Sequence, residues 1–462
     1  MRKSHIFFIS CMISLISFAY NCNLYANLDE SNLTGKTEGI NQKKTVVGLE
    51  ILKFTKNSNL EKAGAKIGDL IVKYNGENVY SIEGLKSLLK SVEISEVEVI
   101  LKRNDKEITL TIPKGQIGVY TKKSIPKYQA KEDDVVIEGI GILGWGMDMD
   151  NSFLGAVYRI DEKFGQNCSY VDISGLSGYA FRLLFFDGWC PSSPDATCGK
   201  DVGSEILEKL GYKFDVYHLT TEFMDENMKE SAISEEEIRK ILMKSIDYGW
   251  PIIAIDLIDI PEWGIVTGYQ KDGKKFFCRT YFDKTKEYEI ARKIPWAIFV
   301  ITDKQETDIT PQYKNSLLFA KELYKTEKFE NYFSGLKAIQ EWIKDLKGEK
   351  YFKEINDTQF EETNLANWWI YYSLFIARQN AKNYLTKNIN KFDVDVALIT
   401  ELSEFYAKEV EILKNGFQYV PSTEEVEKRA DWNDEMRKSQ CEVLENFFEI
   451  ENEVNNIFNQ IK

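Results

Sequence analysis

Apolar and polar positions change rhythm twice along the chain, and each change marks a different kind of element. Between residues 46 and 112, short alternating runs of the half-buried-strand type are cut by Asn57, Gly64, Gly68 and the pair Asn75-Gly76. That spacing predicts a strand over 47–54, a turn over 57–59 and a second strand after Gly68-Asp69. An amphipathic helix over 81–92 and a closing hairpin turned at Asn104-Asp105 follow. From 135 to 304 the elements are mixed. A helix follows Asp150, the apolar runs 250–255 and 263–269 read as paired strands, and the alternating run 215–219 puts His218 on another. Ser234 and Glu237 form a capping box for a helix in this region. From 309 onward the three-and-four spacing of Leu317, Leu318, Ala320, Leu323 and Tyr324 opens a run of helices, continued by Leu336, Ile339, Trp342, Ile343 and Leu346. Further helices are predicted over 365–385, 394–413 and 422–461, the last capped by Ser422 with Glu425. The polar stretch 122–134, with one proline, is the expected hinge.

The first residues change the picture because they read as an address. Arg2 and Lys3 precede an uncharged apolar run from 6 to 20, too short to span a bilayer comfortably. Ser17-Phe18-Ala19 and Leu24-Tyr25-Ala26 both offer a cleavage site, so residues 1–26 are expected to be a signal peptide and the protein to be exported, to the periplasm, the outside or the cell envelope. A lipid anchor at Cys22 is disfavoured, since Tyr20 and Asn21 stand where small residues are wanted. The 73 acidic against 59 basic residues give a net charge of -14, which excludes a general nucleic-acid binder because phosphate contacts need clustered Lys and Arg.

The Ala63-Gly64, Gly68-Asp69 and Asn75-Gly76 punctuation, with its strand and helix spacing, closely resembles the PDZ domains of bacterial envelope proteases. The resemblance covers about 46–112 of a domain assigned to 27–120. It implies a groove in which a C-terminal peptide adds as an extra strand beside the helix, its carboxylate held by amides of a glycine-containing loop. Gly39-Ile40 and Gly48-Leu49-Glu50-Ile51 are the two candidate loops, with Leu85 and Leu88 of the helix lining the groove. Glu50 stands where glycine is usual and would repel a bound carboxylate, which favours Gly39-Ile40.

Three stretches of the domain assigned to 135–304 resemble the papain-like cysteine-peptidase superfamily, in the form found in bacteriocin-leader peptidases and the butirosin-biosynthesis acyltransferase. They are 150–158, 173–182, and 250–255 with 262–269. The resemblance implies a thiolate at a helix amino terminus and a histidine on the facing strands. In this sequence the nucleophile position falls on Asn151 or a close neighbour, and the histidine position on Glu262. An amide is no nucleophile, so the usual pair is missing.

Five cysteines remain after residue 26: Cys168, Cys190, Cys198, Cys278 and Cys441. Cys190 lies in a Gly, Pro and Ser loop and is the best candidate thiol, with Arg182 or His218 available to lower its pKa; a local disulfide to Cys198 explains it equally. His218, the one histidine after residue 26, reads as a satisfied structural residue, and Cys278 as core. Ser177 in Gly175-Leu176-Ser177-Gly178 is one residue short of a hydrolase elbow and reads as a turn. Asp148, Asp150 and Asp161 lack a calcium-loop pattern and read as an acidic helix start. No zinc-type spacing exists, and no cofactor or metal is expected. The aromatic run 368–372 faces all sides of its helix, so burial between helices is expected.

The sequence thus describes a multidomain α+β protein: a signal peptide over 1–26, a PDZ β-barrel-like domain over 27–120, a papain-like α+β domain over 135–304 and a helical bundle over 305–462. Its expected role is an exported adaptor or sensor binding a C-terminal peptide or protein tail, with an unknown second ligand in an inactive central domain and no nucleic acid. The alternative is a cysteine-type peptidase or acyltransferase with Cys190 as nucleophile, served by His218 or Glu262.

Overall fold

Glycine and asparagine punctuation closes the first sheet. In the computed structural model, residues 48–462 are described except 80–84, 86–87, 90–93, 104–105, 115–116, 125–133, 166–167, 221–225, 271–272, 284 and 427. The signal peptide, Gly39 and Ile40 therefore lie outside the described residues. Contacts divide the chain into a unit over 29–129 and a second over 130–462.

In the first unit the elements are β1 (Gly48–Phe54), α1 (Asn59–Lys62), β2 (Leu70–Tyr74), β3 (Glu77–Asn78), β4 (Glu96–Arg103), β5 (Lys106–Pro113) and β6 (Val119–Ser124). They form one antiparallel sheet in the order β5-β4-β2-β1-β6, with β3 beside β2. Asn57, Gly64, Gly68, Asn75 and Gly76 all adopt positive φ, which is why the turns demand them. Asp69 of the Gly-Asp pair is 1% exposed and takes hydrogen bonds from Arg103 Nε and Nη2, both at 2.6 Å, and from Lys66 N at 2.7 Å. Burial alone would raise this carboxyl, but those donors hold it below the ordinary value. Alternating β4 positions Val97, Val99 and Leu101 are fully buried and meet Leu49, Ile51, Ile71 and Tyr74 in one core.

The second unit is built on β7 (Val135–Val136), α2 (Ser152–Phe164), α3 (Tyr170–Ser177), β8 (Leu184–Phe186), α4 (Val202–Lys209), β9 (Tyr212–His218) and α5 (Glu235–Asp247). Then come β10 (Ile252–Ile255), β11 (Trp263–Tyr269), β12 (Phe276–Arg279), β13 (Glu289–Ile290) and β14 (Ala297–Lys304). The sheet runs β13-β12-β11-β10-β14-β9, with β7 against β11. Every residue of β10 and β11 is buried, because helices cover one face and loops and helices the other. Ser234 and Glu237 close the capping box of α5 reciprocally, as the sequence requires.

After the sheet come α6 (Thr310–Lys325), the strands β15 (Lys328–Phe329) and β16 (Tyr332–Ser334), α7 (Gly335–Lys347), α8 (Asp357–Lys387), α9 (Val396–Gly416) and α10 (Asp434–Gln460). Strands therefore persist beyond 309: β16 pairs with β8, joining the two regions through backbone hydrogen bonds. The final helix begins at Asp434 with Asn433 as its cap, later than the Ser422 start. Ser422 N and Oγ do donate to Glu425 at 2.8 and 3.0 Å, but the bonds close a local turn. Helices and sheet share a core: Phe181 packs against Tyr384, Tyr406 and Phe458 at ring separations of 5.8–6.1 Å, and Arg378 of α8 donates to Ala180 O at 2.9 Å.

Candidate functional site

In the first unit, strand order decides where a further strand can add. β1 is paired antiparallel on both sides: Leu49 and Glu50 face Ile71 and Leu70 of β2, and the whole strand faces β6 from Gly48↔Ser124 to Phe54↔Val119. The Gly48-Leu49-Glu50-Ile51 loop expected from the sequence is thus an interior strand with no edge to offer, and Leu49 and Ile51 are core at 0% exposure. Among the described residues the free edges are β5 and β6. β6 follows Ile117-Gly118, a second glycine-containing turn that the sequence reading passed over. Gly118 has φ +76°, its carbonyl accepts from Thr55 N at 2.9 Å, and Ile117 O accepts from Ser58 Oγ at 3.0 Å. Leu85 (4% exposed), Leu88 and Leu89 of the predicted helix share one apolar cluster with Ile117 and Val119. Those described helix residues and the start of β6 thereby belong to the same core.

A Cβ at Gly118 would sit 2.7 Å from the Ser58 Cα and 2.9 Å from Thr55 Oγ1, on top of a left-handed backbone. Gly118→Val is therefore expected to destabilise the first unit by about 3 kcal/mol or more. Hydrogen exchange of β1 and β6 amides in the full chain measures it; protection unchanged from the wild type would refute this account of the turn.

In the second unit, three positions that are far apart in sequence converge at the amino end of α2. Asn151 caps the helix: its Oδ1 accepts from Leu154 N at 3.0 Å, its Nδ2 donates to Pro194 O at 3.2 Å, its N–H donates to Tyr170 OH at 3.0 Å, and its carbonyl accepts from Tyr281 OH at 3.1 Å. Every polar group of Asn151 is thus engaged in holding the structure. The next residue, Ser152, is 5% exposed, and its Oγ accepts from Trp263 N at 3.3 Å, across 111 positions of sequence. Glu262 is the residue before β11, adjacent to Trp263. Burial, together with the charge of Asp195, pushes its carboxyl up to about 7 against the pull of Ser152. Asp195 takes Trp263 Nε1 at 2.9 Å and Thr197 Oγ1 at 2.6 Å, and its own carboxyl is raised by burial. The segments carrying Asn151 and Glu262 are joined by the bond from Trp263 N to Ser152 Oγ; Ser152 and Asp195 were not singled out from the sequence, although Ser152 is the first residue of a well-capped helix.

An aromatic wall continues from this point. Asp150 accepts from Gly146 N at 2.6 Å, and burial raises its carboxyl. Tyr372 stacks on Trp368 (5.3 Å, 9°) and Trp369 (5.9 Å, 19°), Trp369 meets Trp145 edge-on at 5.0 Å, and Trp145 contacts Tyr281 at 4.4 Å. Ile370 and Tyr371 of the same run are buried, whereas Trp368, Trp369 and Tyr372 are only partly covered.

The remaining sequence candidates lie elsewhere. Cys190 is fully buried with Leu184, Cys198 and Tyr332, which is not the open setting a reactive thiol needs. Cys198 is not disulfide-bonded, so the local Cys190–Cys198 bridge does not form. His218 is 4% exposed on β9 opposite Ala297, with its ring nitrogens 3.3 Å from Leu219 O and 3.2 Å from Ser231 Oγ. Three strand spacings, about 14 Å, separate its row from Trp263. Ser177 donates to Ser174 O at 3.0 Å and accepts from Tyr179 N, which makes it part of a helix end. Asp161 accepts from Tyr212 OH and Cys168 N, both at 3.1 Å.

Comparison with known proteins gives one family: the PDZ domain, matched over residues 51–103. No curated protein matches the chain. The matched segment runs from β1 through β4 and contains the Gly64, Gly68-Asp69 and Asn75-Gly76 turns, so the first unit of this protein carries a PDZ domain.

Proposed function

We propose that the protein is an exported adaptor or sensor of the cell envelope, whose PDZ domain captures a C-terminal peptide or protein tail as a strand added along β6. The second unit, in this reading, is a papain-like domain whose thiol and imidazole positions hold Asn151 and Glu262, buttressed by the helices from α6 onward and holding a second ligand. The observation that carries the reading is the PDZ match together with the unpaired described edge of β6 beside the Ile117-Gly118 turn. A strand added there gains main-chain hydrogen bonds from β6 and a carboxylate site in the preceding turn, the recognition mode that PDZ domains share. Export rests on Arg2, Lys3 and the apolar run that follows.

The test is fluorescence polarisation of the full chain against a library of peptides with free C-terminal carboxylates, repeated with the same peptides amidated. Binding is expected to need the carboxylate, with amidation weakening it by about tenfold or more, the scale of one lost charge-assisted contact. A library without a single binder, or equal affinity for amidated peptides, would remove tail capture from the account.

A further inference from the structure

A strand carries its side chains alternately to the two faces of a sheet, so a tail added along β6 is read on the face turned from the core as well as on the core side. We propose that Tyr120 is the specificity-determining residue for the next-to-last residue of the captured tail, and that the residue it selects is a large apolar or aromatic one. The selection presupposes tail capture along β6, as proposed above, and adds the chemistry of the tail at one position. Two large side chains on the strands concerned are open to solvent: Tyr120 of β6 is 59% exposed and Leu52 of β1 is 44% exposed.

The pairing of β1 with β6 shows which face each residue takes. Leu49 and Ile51 have no exposed surface and Phe54 packs against the same cluster, so these positions point to the core, while Leu52 and Lys53 between them are exposed. Two consecutive outward residues mark a bulge: Ile51 pairs with Thr121 and Lys53 with Tyr120, which leaves Leu52 as the extra residue of β1. Directly opposed residues share a face, so Tyr120 stands on the outer face with Lys53 and Leu52, whereas its neighbour Val119 packs on the core side. Among the described residues β6 is paired on its β1 side alone, so the other flank of Tyr120 faces whatever adds at the edge.

The carboxylate sets the register of the tail. Held at the Ile117-Gly118 turn, it makes the tail run antiparallel to β6 with its last residue level with Val119, on the side of the cluster that Val119 shares with Ile117, Leu85, Leu88 and Leu89. The next-to-last residue then comes level with Tyr120 and points to the outer face. Opposed side chains of an antiparallel pair have Cβ atoms about 4.5–5.5 Å apart, within reach of ring-on-ring or ring-on-aliphatic contact. A tyrosine ring offers a large apolar area on few rotatable bonds, so it selects for size and apolarity, and Leu52 extends the apolar surface behind it. Lys53 is the charged neighbour on this face, but it sits on β1, two strand spacings or roughly 9.5 Å from the tail backbone, with Tyr120 on the strand between. An exposed ion pair across that span contributes little, so the ring decides the preference.

The experiment is fluorescence polarisation of the full chain against peptides that end in the same apolar residue with a free carboxylate and differ only at the next-to-last position, which is Gly, Leu, Phe, Trp or Asp. The Phe and Trp peptides are expected to bind about five- to tenfold tighter than the Gly peptide, with Leu between them, the scale of one aromatic contact. Tyr120→Ala is expected to bring the Phe and Trp peptides to within about twofold of the Gly peptide while leaving the Gly affinity in place, which shows the domain still folded. Tyr120→Phe is expected to keep the preference, and Leu52→Ala to remove a smaller part of it. Binding that ignores the next-to-last residue, a preference for Asp, or a preference that survives in Tyr120→Ala overturns the assignment and leaves tail capture standing. A panel without a binder, or amidated peptides that bind equally well, removes tail capture and this selection with it. Self-association lost in Tyr120→Ala, read by sedimentation and found in place of the peptide preference, makes the face a contact between copies of the chain and likewise overturns the assignment.

Discussion

Arg378→Met is expected to lose about 3–5 kcal/mol of stability, enough at the upper end to leave about half of the second unit unfolded at ambient temperature if its total is at the low end of the usual 5–15 kcal/mol. Arg378 is 1% exposed, and its guanidinium is the cation between two carboxyls as deeply buried as itself, Glu451 and Glu409. It donates to Glu451 Oε1 from Nε at 3.0 Å and again from Nη2, while Tyr324 OH donates to the other oxygen of Glu451. Glu409 Oε2 lies 3.0 Å from Arg378 Nε but forms no well-aligned hydrogen bond, so the contact is electrostatic. Burial, with the like charge of Glu451, drives the Glu409 carboxyl well above its ordinary range against the pull of Arg378. Methionine fills much of the volume yet strands a carboxylate in the core. Urea unfolding measures the loss, and the double variant Arg378→Met/Glu451→Gln is expected to recover most of it, because the stranded charge is gone. A single variant within 1 kcal/mol of the wild type would contradict this charge accounting.

Trp342→Ala is expected to cost a similar 3–5 kcal/mol, for a different reason. Trp342 of α7 has no exposed surface, stacks on Phe185 of β8 at 6.1 Å and 13°, and meets Tyr371 of α8 edge-on at 6.2 Å. Its removal opens a void between strand and helices. It also strands a polar relay, since Trp342 Nε1 donates to Asn367 Oδ1 at 2.9 Å and Asn367 is itself paired with Gln440 of α10 at 2.8 and 3.1 Å. Trp342→Phe keeps most of the volume but not the donor, and about half the loss is expected. Equal melting temperatures for the alanine and phenylalanine variants would mean that the void contributes little.

What could be read from residues alone, and what could not, follows the range of the interaction involved. The PDZ turns were legible because Gly64, Gly68, Asn75 and Gly76 answer to their own φ angles, a local demand. The Gly48-Leu49-Glu50-Ile51 alternative was not legible as an interior strand because β1 is enclosed between β2 and β6 by pairings that span up to 76 residues, from Gly48 to Ser124, and no local signal records which strand stays at an edge. The stretches holding Asn151 and Glu262 lie 111 positions apart at the bond that joins them, Trp263 N to Ser152 Oγ, a contact no local pattern announces. Ser152 and Asp195 escaped notice because a serine beginning a helix and an aspartate in a loop are ordinary as residues; only their convergence on Glu262 and Trp263 makes them unusual. At the last helix, Ser422 and Glu425 formed the bonds of a helix start without a helix, since two side-chain hydrogen bonds do not set the following dozen residues.

The core shared by sheet and helices has a consequence for how the chain is made. Phe181 waits for Tyr384, Tyr406 and Phe458, and the last of these is four residues from the end. A ribosome adds residues at roughly 5–20 per second, so the β1 to β6 sheet is complete some 20–70 s before the other unit receives its final partners. During that interval much of the newly synthesised apolar surface has nothing of its own to bury against. Helper proteins that shield nascent chains are the natural remedy, and a chain cut short before Phe458 would leave the larger body permanently unfinished.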